Sequence, residues 1–167
     1  MAHVEKIKRS GVIGLAIHCE RRVGCELSNK DIDTSRTHLN YNLAKDIQPL
    51  KPETFLKQRI SEVRHISRDD IVLMADWIVT LPKDVYKEDT ERFFEYTFEF
   101  LKEKYGEKNI VSAWIHMDEA TPHIHFSFVP VITIDGIEKL NCKKIITKSA
   151  LKKFHPQLGA YLEQRLG

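Results

Sequence analysis

The chain has 167 residues, 42% of them apolar, with 26 Lys and Arg against 24 Asp and Glu. It is about one domain long and can bury its own core, and no run approaches the roughly 20 apolar residues needed to span a bilayer. A net charge of +2 does not by itself announce nucleic-acid binding. Cys19, Cys25 and Cys142 have no metal-ligand spacing and read as free thiols in a reducing, cytoplasmic compartment.

Lys6, Lys8, Arg9, Arg21, Arg22 and Lys30 crowd the first thirty residues, a basic surface that suits solvent and a polyanion equally. Residues 12–17 are an apolar run in which Gly11 and Gly14 allow close backbone approach, so they read as a buried strand with His18 at its end. Cys19, Glu20, Arg21 and Arg22 then stop it. Residues 28–43 are dense in Asn, Asp, Ser and Thr, which satisfy local backbone groups in turns; a long structured loop ending in a short extended piece is expected. Within it Arg36, His38, Asn40 and Tyr41 could offer polar groups to a phosphate or a base.

After the connector at Pro49 and Pro52, residues 53–64 place Phe55, Leu56, Ile60 and Val63 at helical spacing, with Lys57, Arg59 and Arg64 on the polar side. Residues 71–81 are rich in β-branched side chains and stopped by Pro82, which predicts a central strand. Residues 84–105 form the clearest helix, with Phe93, Phe94, Thr97, Phe98, Leu101 and Tyr105 on one face and Gly106 as its stop. Two hairpin strands follow at 109–117 and 123–133, then a turn at 134–137 into a short third strand near Lys139 and Leu140. Residues 147–166 return to helix, kinked or reopened at Pro156. Gly167 directly after that helix reads as a boundary within a longer protein. The expected class is α+β, one domain over 1–167 with a mostly antiparallel C-terminal half.

The chemistry concentrates between Trp114 and Pro130. His123 and His125 are two apart, so on a strand their imidazoles share a face. Residues 118–122, Asp-Glu-Ala-Thr-Pro, have turn composition, and a hairpin closing there lays His116 across from them. Three imidazoles on one face without a thiolate suit a metal such as Mn or Zn with open positions. The spacing does not fit the helical zinc-protease pattern.

With His116-Met-Asp-Glu-Ala-Thr-Pro-His-Ile-His125 in place, the chain resembles the MobV family of plasmid mobilisation relaxases, also called Mob/Pre plasmid recombination enzymes. His18-Cys-Glu-Arg21 is similar to the family's first motif and Ser35-Arg-Thr-His-Leu-Asn-Tyr41 to its second, and the likeness covers nearly the whole chain. Cys19 departs from the pattern, standing where the family often has a polar residue. The resemblance implies a relaxase fold of the HUH-endonuclease type, an antiparallel sheet flanked by helices. It also implies nicking of one strand at a plasmid transfer origin, a covalent 5′-phosphate adduct, and rejoining.

By the same resemblance, His116, His123 and His125 would hold a divalent ion, Mn²⁺ before Mg²⁺ or Zn²⁺. His18 would be the nucleophile that replaces a tyrosine, Glu119 its base or orienting partner, and Arg21, Arg64 and Arg68 contacts to phosphate. The partners implied are origin-of-transfer DNA of a plasmid and a second copy of the chain, joined through a C-terminal region beyond Gly167. Tyr41 stays open as an alternative nucleophile, and Cys19 beside His18 would point to the other face of an extended chain. Two further functions stay open: a replication initiator or transposase with the same nicking fold, and a DNA-binding module with a structural metal.

Overall fold

The computed structural model describes residues 1–27 and 29–167; Ser28, the first residue of the expected loop, lies outside the described residues. In chain order the regular elements are β1 (Ala2–Lys8), α1 (Val12–Glu20), β2 (Tyr41–Asn42), α2 (Pro52–Glu62), β3 (Val72–Thr80), α3 (Thr90–Tyr105), β4 (Ile110–His116), β5 (His123–Phe128), β6 (Val131–Ile134), β7 (Ile137–Leu140), α4 (Cys142–Ile145) and α5 (Lys148–Leu166). Five strands pair antiparallel in the order β1-β3-β5-β4-β2, and β6 and β7 form a separate hairpin. This is the α+β architecture expected, with helices on both faces.

Strand alternation sorts the two faces. On one, Trp77 and Val79 of β3 and Ile124, Phe126 and Phe128 of β5 are buried among Phe93, Phe94, Phe98 and Leu101 of α3 and Phe154 and Leu158 of α5. Phe154 stacks on Trp77 with ring centroids 3.6 Å apart, and truncating such an aromatic costs about 3–5 kcal/mol. The other face is apolar only at the end where Met74 and Val111 meet Val12 of α1 and Leu56 and Ile60 of α2. Beyond them it turns polar, presenting Asp76, Ser127 and the three histidines of the hairpin.

The outer side of β4 is closed by backbone and side chains together. Strand β2 pairs with Ile115 and Trp114, and the Leu43 N–H after it donates to the Ala113 carbonyl at 2.9 Å. Past it, Asn42 Oδ1 accepts from the Ala113 N–H at 2.9 Å, and the buried Gln48 amide donates to the Val111 carbonyl at 2.6 Å.

Several expectations need correction. Residues 12–17 belong to helix α1, not to a strand: Val12, Ala16 and Cys19 are its buried residues, spaced for a helical face. Short apolar runs fit either structure, and here the preceding residues supply the strand. That strand, β1, was not foreseen, because an edge strand carrying His3, Glu5, Lys6 and Lys8 alternates only weakly. Helix α3 begins at Thr90 rather than at 84, after a turn behind Pro82. The strand expected over 123–133 is interrupted at Pro130, which lacks a donor, and restarts as β6. Arg59 is not on a solvated face; its side chain is 4% exposed, with Asn109 Oδ1 at 3.0 and 2.9 Å and Glu62 and Glu138 beside it. Its burial follows from docking of the β6–β7 hairpin, which local periodicity does not report.

Candidate metal and nucleophile centre

The β4–β5 hairpin pairs His116 with His123 and Trp114 with His125, so the three imidazoles lie on one face as the spacing predicted. Helix α1 brings His18 to them in its last turn. The ring centroid of His116 is 5.2 Å from that of His18, 5.2 Å from His123 and 4.9 Å from His125; His18 and His125 are 5.2 Å apart. The helix then ends on Arg21, whose left-handed φ of 50° is unusual for a residue with a side chain. That turn sends its guanidinium back into the cluster.

Each histidine of the hairpin is anchored through one nitrogen by an oxygen that can only accept. His116 Nε2 lies 3.0 Å from the Cys19 carbonyl, His123 Nδ1 2.9 Å from the Thr121 carbonyl, and His125 Nδ1 2.7 Å from Asp76 Oδ2. These bonds put the ring protons on the anchored nitrogens and leave the lone pairs on His116 Nδ1, His123 Nε2 and His125 Nε2. His116 Nδ1 is buried with no hydrogen-bond partner. A buried lone pair without a donor, beside two others, is the arrangement a divalent cation needs.

Glu119 sits among the rings, with Oε1 at 3.6 Å from His116 Nδ1, 3.8 Å from His123 Nε2 and 3.9 Å from His18 Nε2. The Arg21 guanidinium, donating from Nη2 at 2.8 Å, favours its ionised carboxylate. Ligand atoms within 4.8 Å of one another fall into two sets, His18 with His116 and His125, and His116 with Glu119 and His123. His116 is common to both, and neither set holds all three predicted ligands: His125 falls with His18 in the first and His123 with Glu119 in the second.

Arg21 is buried and binds Asp118 through Nε at 3.0 Å and Nη2 at 2.9 Å, and Glu119 through Nη2 at 2.8 Å. Its Nη1 lies 3.3 Å from His18 Nδ1. A guanidinium only donates, so Nδ1 of His18 is the acceptor and the proton of its neutral ring is on Nε2, toward Glu119. Burial first, and then His125, Arg21 and His116, lower the His18 pKa to about 4, which keeps the ring neutral at physiological pH.

The loop expected over 28–43 contains a 3-10 turn at Thr34–Leu39 and packs on the hairpin tip. Thr37 Oγ1 donates to Asp118 at 2.8 Å, Asn40 Oδ1 accepts from Met117 N at 2.7 Å, Arg36 donates to the Met117 carbonyl, and Asn29 donates to Glu119 Oε2 at 3.0 Å. His38 is exposed on this loop. Tyr41 pairs with Ile115 and so faces the opposite side of the sheet from His116, where burial and then Glu91 and Glu95 raise its phenol to about 12. Arg64 and Arg68 are exposed just before β3, at the end remote from the histidines, which meet β3 at Ile78 and Thr80.

Sequence reasoning missed Asp76 and Asp118, both fully buried carboxylates. Asp76 was detectable as the single charge in the apolar run 71–81, since a buried acid requires partners. Asp118 had no such signal, lying in a turn where an exposed acid is ordinary.

A family model described as plasmid recombination enzyme, Mob_Pre, matches residues 1–166. A plasmid recombination enzyme of Lactiplantibacillus plantarum is 34% identical over 98% of this chain and 46% of its own length. A type 3 enzyme of Staphylococcus aureus is 35% identical over 99% of this chain and 41% of its own. Among solved structures, the MobM relaxase domain (MOBV; Mob_Pre), Mn-bound with plasmid pMV158 oriT DNA, matches with a TM-score of 0.83 at 35% identity, over 98% of this chain and 85% of that one. The chain belongs to the Mob_Pre family of plasmid recombination enzymes, and it spans less than half the length of these two curated relatives.

Proposed function

We propose that this chain is a metal-dependent relaxase domain that nicks and rejoins one strand at a plasmid transfer origin, with His18 as the nucleophile and a phosphohistidine intermediate. The observation that carries this reading is the convergence of a neutral His18, Glu119 and three anchored imidazoles on one face of the sheet, while Tyr41 faces the other. The likeness to a Mn-bound relaxase domain crystallised with oriT DNA supports both the substrate and the ion.

His116, His123 and His125 would hold the ion, and their lone pairs and fixed tautomers fit it. A Mn²⁺ held there would supply Lewis-acid charge, undiminished by its neutral ligands, to a bound phosphate. His18 attacks phosphorus through Nδ1, the nitrogen with the lone pair. An N–P bond forms, the bond from phosphorus to the 3′ oxygen breaks, the Nε2 proton passes to Glu119 as the two close from 3.9 Å, and the departing 3′ oxygen takes a proton from solvent water to leave as a hydroxyl. The Arg21 N–H now on Nδ1 is placed to transfer to a phosphate oxygen. Because the phosphoramidate retains the energy of the broken bond, the 3′ hydroxyl can attack it and reseal the strand.

The cell compartment consistent with a plasmid substrate is the cytoplasm, and no helix among the described residues is long and apolar enough to cross a membrane. The deciding experiment is a nicking assay on supercoiled plasmid carrying the cognate origin with Mn²⁺, comparing the parent with His18→Ala, Tyr41→Phe and His123→Ala. Loss of the covalent adduct in His18→Ala with its retention in Tyr41→Phe is expected. The reverse pattern moves the nucleophile to Tyr41, and no nicking by a metal-loaded parent on any origin removes the relaxase reading.

A further inference from the structure

Between Lys139 and Leu162 the chain carries six lysines and no Asp, Glu or Arg, although its net charge is only +2. Lys143 and Lys144 lie on α4, and Lys148, Lys152 and Lys153 on the first half of α5; all five are exposed. Among the described residues the lysines in ion pairs are Lys102 and Lys108, neither in this stretch. Lys6 widens the surface across edge strand β1. It pairs with Ala75, which directs it to the side of the sheet that α4 and α5 cover.

This surface lies across the sheet from the histidine cluster. Phe154 of α5 stacks on Trp77, whose neighbour Asp76 points the other way to His125. With helix packed on sheet between them, the two regions are on the order of 20 Å apart and engage different segments of a ligand.

We propose that the lysine surface of β1, α4 and α5 binds the backbone of double-stranded DNA without reading its sequence, holding duplex that flanks the strand at the histidine cluster. The choice of DNA as the polyanion rests on the relaxase reading. The residue types fix the rest. A lysine is a mobile point charge and lacks the fork that reads guanine or grips phosphate in two places, and the stretch has no arginine. Single strands are held by exposed aromatic platforms. Here Phe154 is buried, and Tyr161 is covered by the Arg165 guanidinium at 3.4 Å from its ring. The N-terminal end of α5, capped by Thr147, adds its partial positive charge beside Lys148.

The test uses the whole chain with a duplex oligonucleotide of unrelated sequence, titrated from low to moderate salt. Lys148→Gln/Lys152→Gln removes two charges from exposed positions, and Lys83→Gln/Lys87→Gln, also exposed, removes two elsewhere. The proposal expects the first pair to lower the salt slope of log Kd by about 2 and duplex affinity about tenfold or more at 0.1 M salt. The second pair should change each far less, and Lys148→Arg/Lys152→Arg should restore both. Cleavage of a short single-stranded origin oligonucleotide should stay at the parental rate. An unchanged slope, or equal losses in both pairs, would overturn the proposal. Lysine-dependent duplex binding by a parent that nicks nothing would sustain it while removing the relaxase reading.

Discussion

Asp76 and His125 are joined across β3 and β5 by a 2.7 Å hydrogen bond in the interior of the sheet, and Ser127 donates to the second oxygen of the same carboxylate at 2.6 Å. With both its oxygens engaged, the carboxylate cannot rotate away from the ring. It therefore fixes which nitrogen of His125 keeps its lone pair, the one proposed to hold the ion. Asp76→Asn can offer an N–H where a carboxylate oxygen stood, which favours the wrong tautomer. Mn²⁺ affinity measured by calorimetry should fall about 10–100-fold, with far-ultraviolet circular dichroism unchanged.

Arg21 and Asp118 are a buried pair, with side-chain exposures of 4% and 0%. Arg21→Ala leaves the carboxylate uncompensated and should destabilise the chain by about 3–5 kcal/mol in urea titration. Replacing both, as Arg21→Met with Asp118→Leu, should recover part of that loss. Additive losses would show that the pair is not coupled.

The proposed mechanism has Glu119 take the His18 proton, and its glutamine isostere keeps the shape that Arg21 and Asn29 bind. Glu119→Gln should lower single-turnover nicking by roughly 10²–10⁴-fold while origin binding changes by no more than a few-fold. Parental nicking by this variant would remove the base from the mechanism.

Stability should fall in acid. The bidentate Arg22 fork holds Glu53 below its ordinary pKa of 4.5, tying the end of α1 to α2, and Lys108 with Arg59 does the same to Glu138 on β7. Near pH 4 the unfolded chain therefore binds more protons than the folded one. The contribution is fully present above about pH 4.5 and is lost as pH falls through the depressed folded values. Urea midpoints between pH 7 and pH 3 should decline, and Glu53→Gln should be less stable at pH 7 with a shallower decline.

Ion binding should stabilise the fold by linkage. Mn²⁺ at 100 times its Kd should add about 2.7 kcal/mol, read as a rise in Tm that EDTA reverses. His116→Ala should abolish that rise, since His116 supplies the orphaned nitrogen common to both ligand groupings.

The histidine hairpin was legible because strand alternation and a proline-containing turn are local signals, and His116, His123 and His125 lie within one turn of each other in sequence. Helix α3 was legible through its aromatic stripe. What escaped depends on partners distant in the chain. Residues 12–17 are helical while the residues before them pair with β3 at the sheet edge, and Arg59 is buried by a hairpin that begins over seventy residues later. The anchoring of His116 by the Cys19 carbonyl spans 97 residues, and no periodicity could report it.

The side chains of Asn42 and Gln48 along β4 bear on how the protein behaves at high concentration. A bare strand edge invites another chain to add to the sheet. Gln48 uses its amide where a neighbouring backbone would otherwise dock, so the sheet is terminated there without a further strand. The contact lies at the opposite end of β4 from His116, along the stretch that the short strand β2 does not reach, so a chain arriving there finds no free run of donors and acceptors from which to template a fibril.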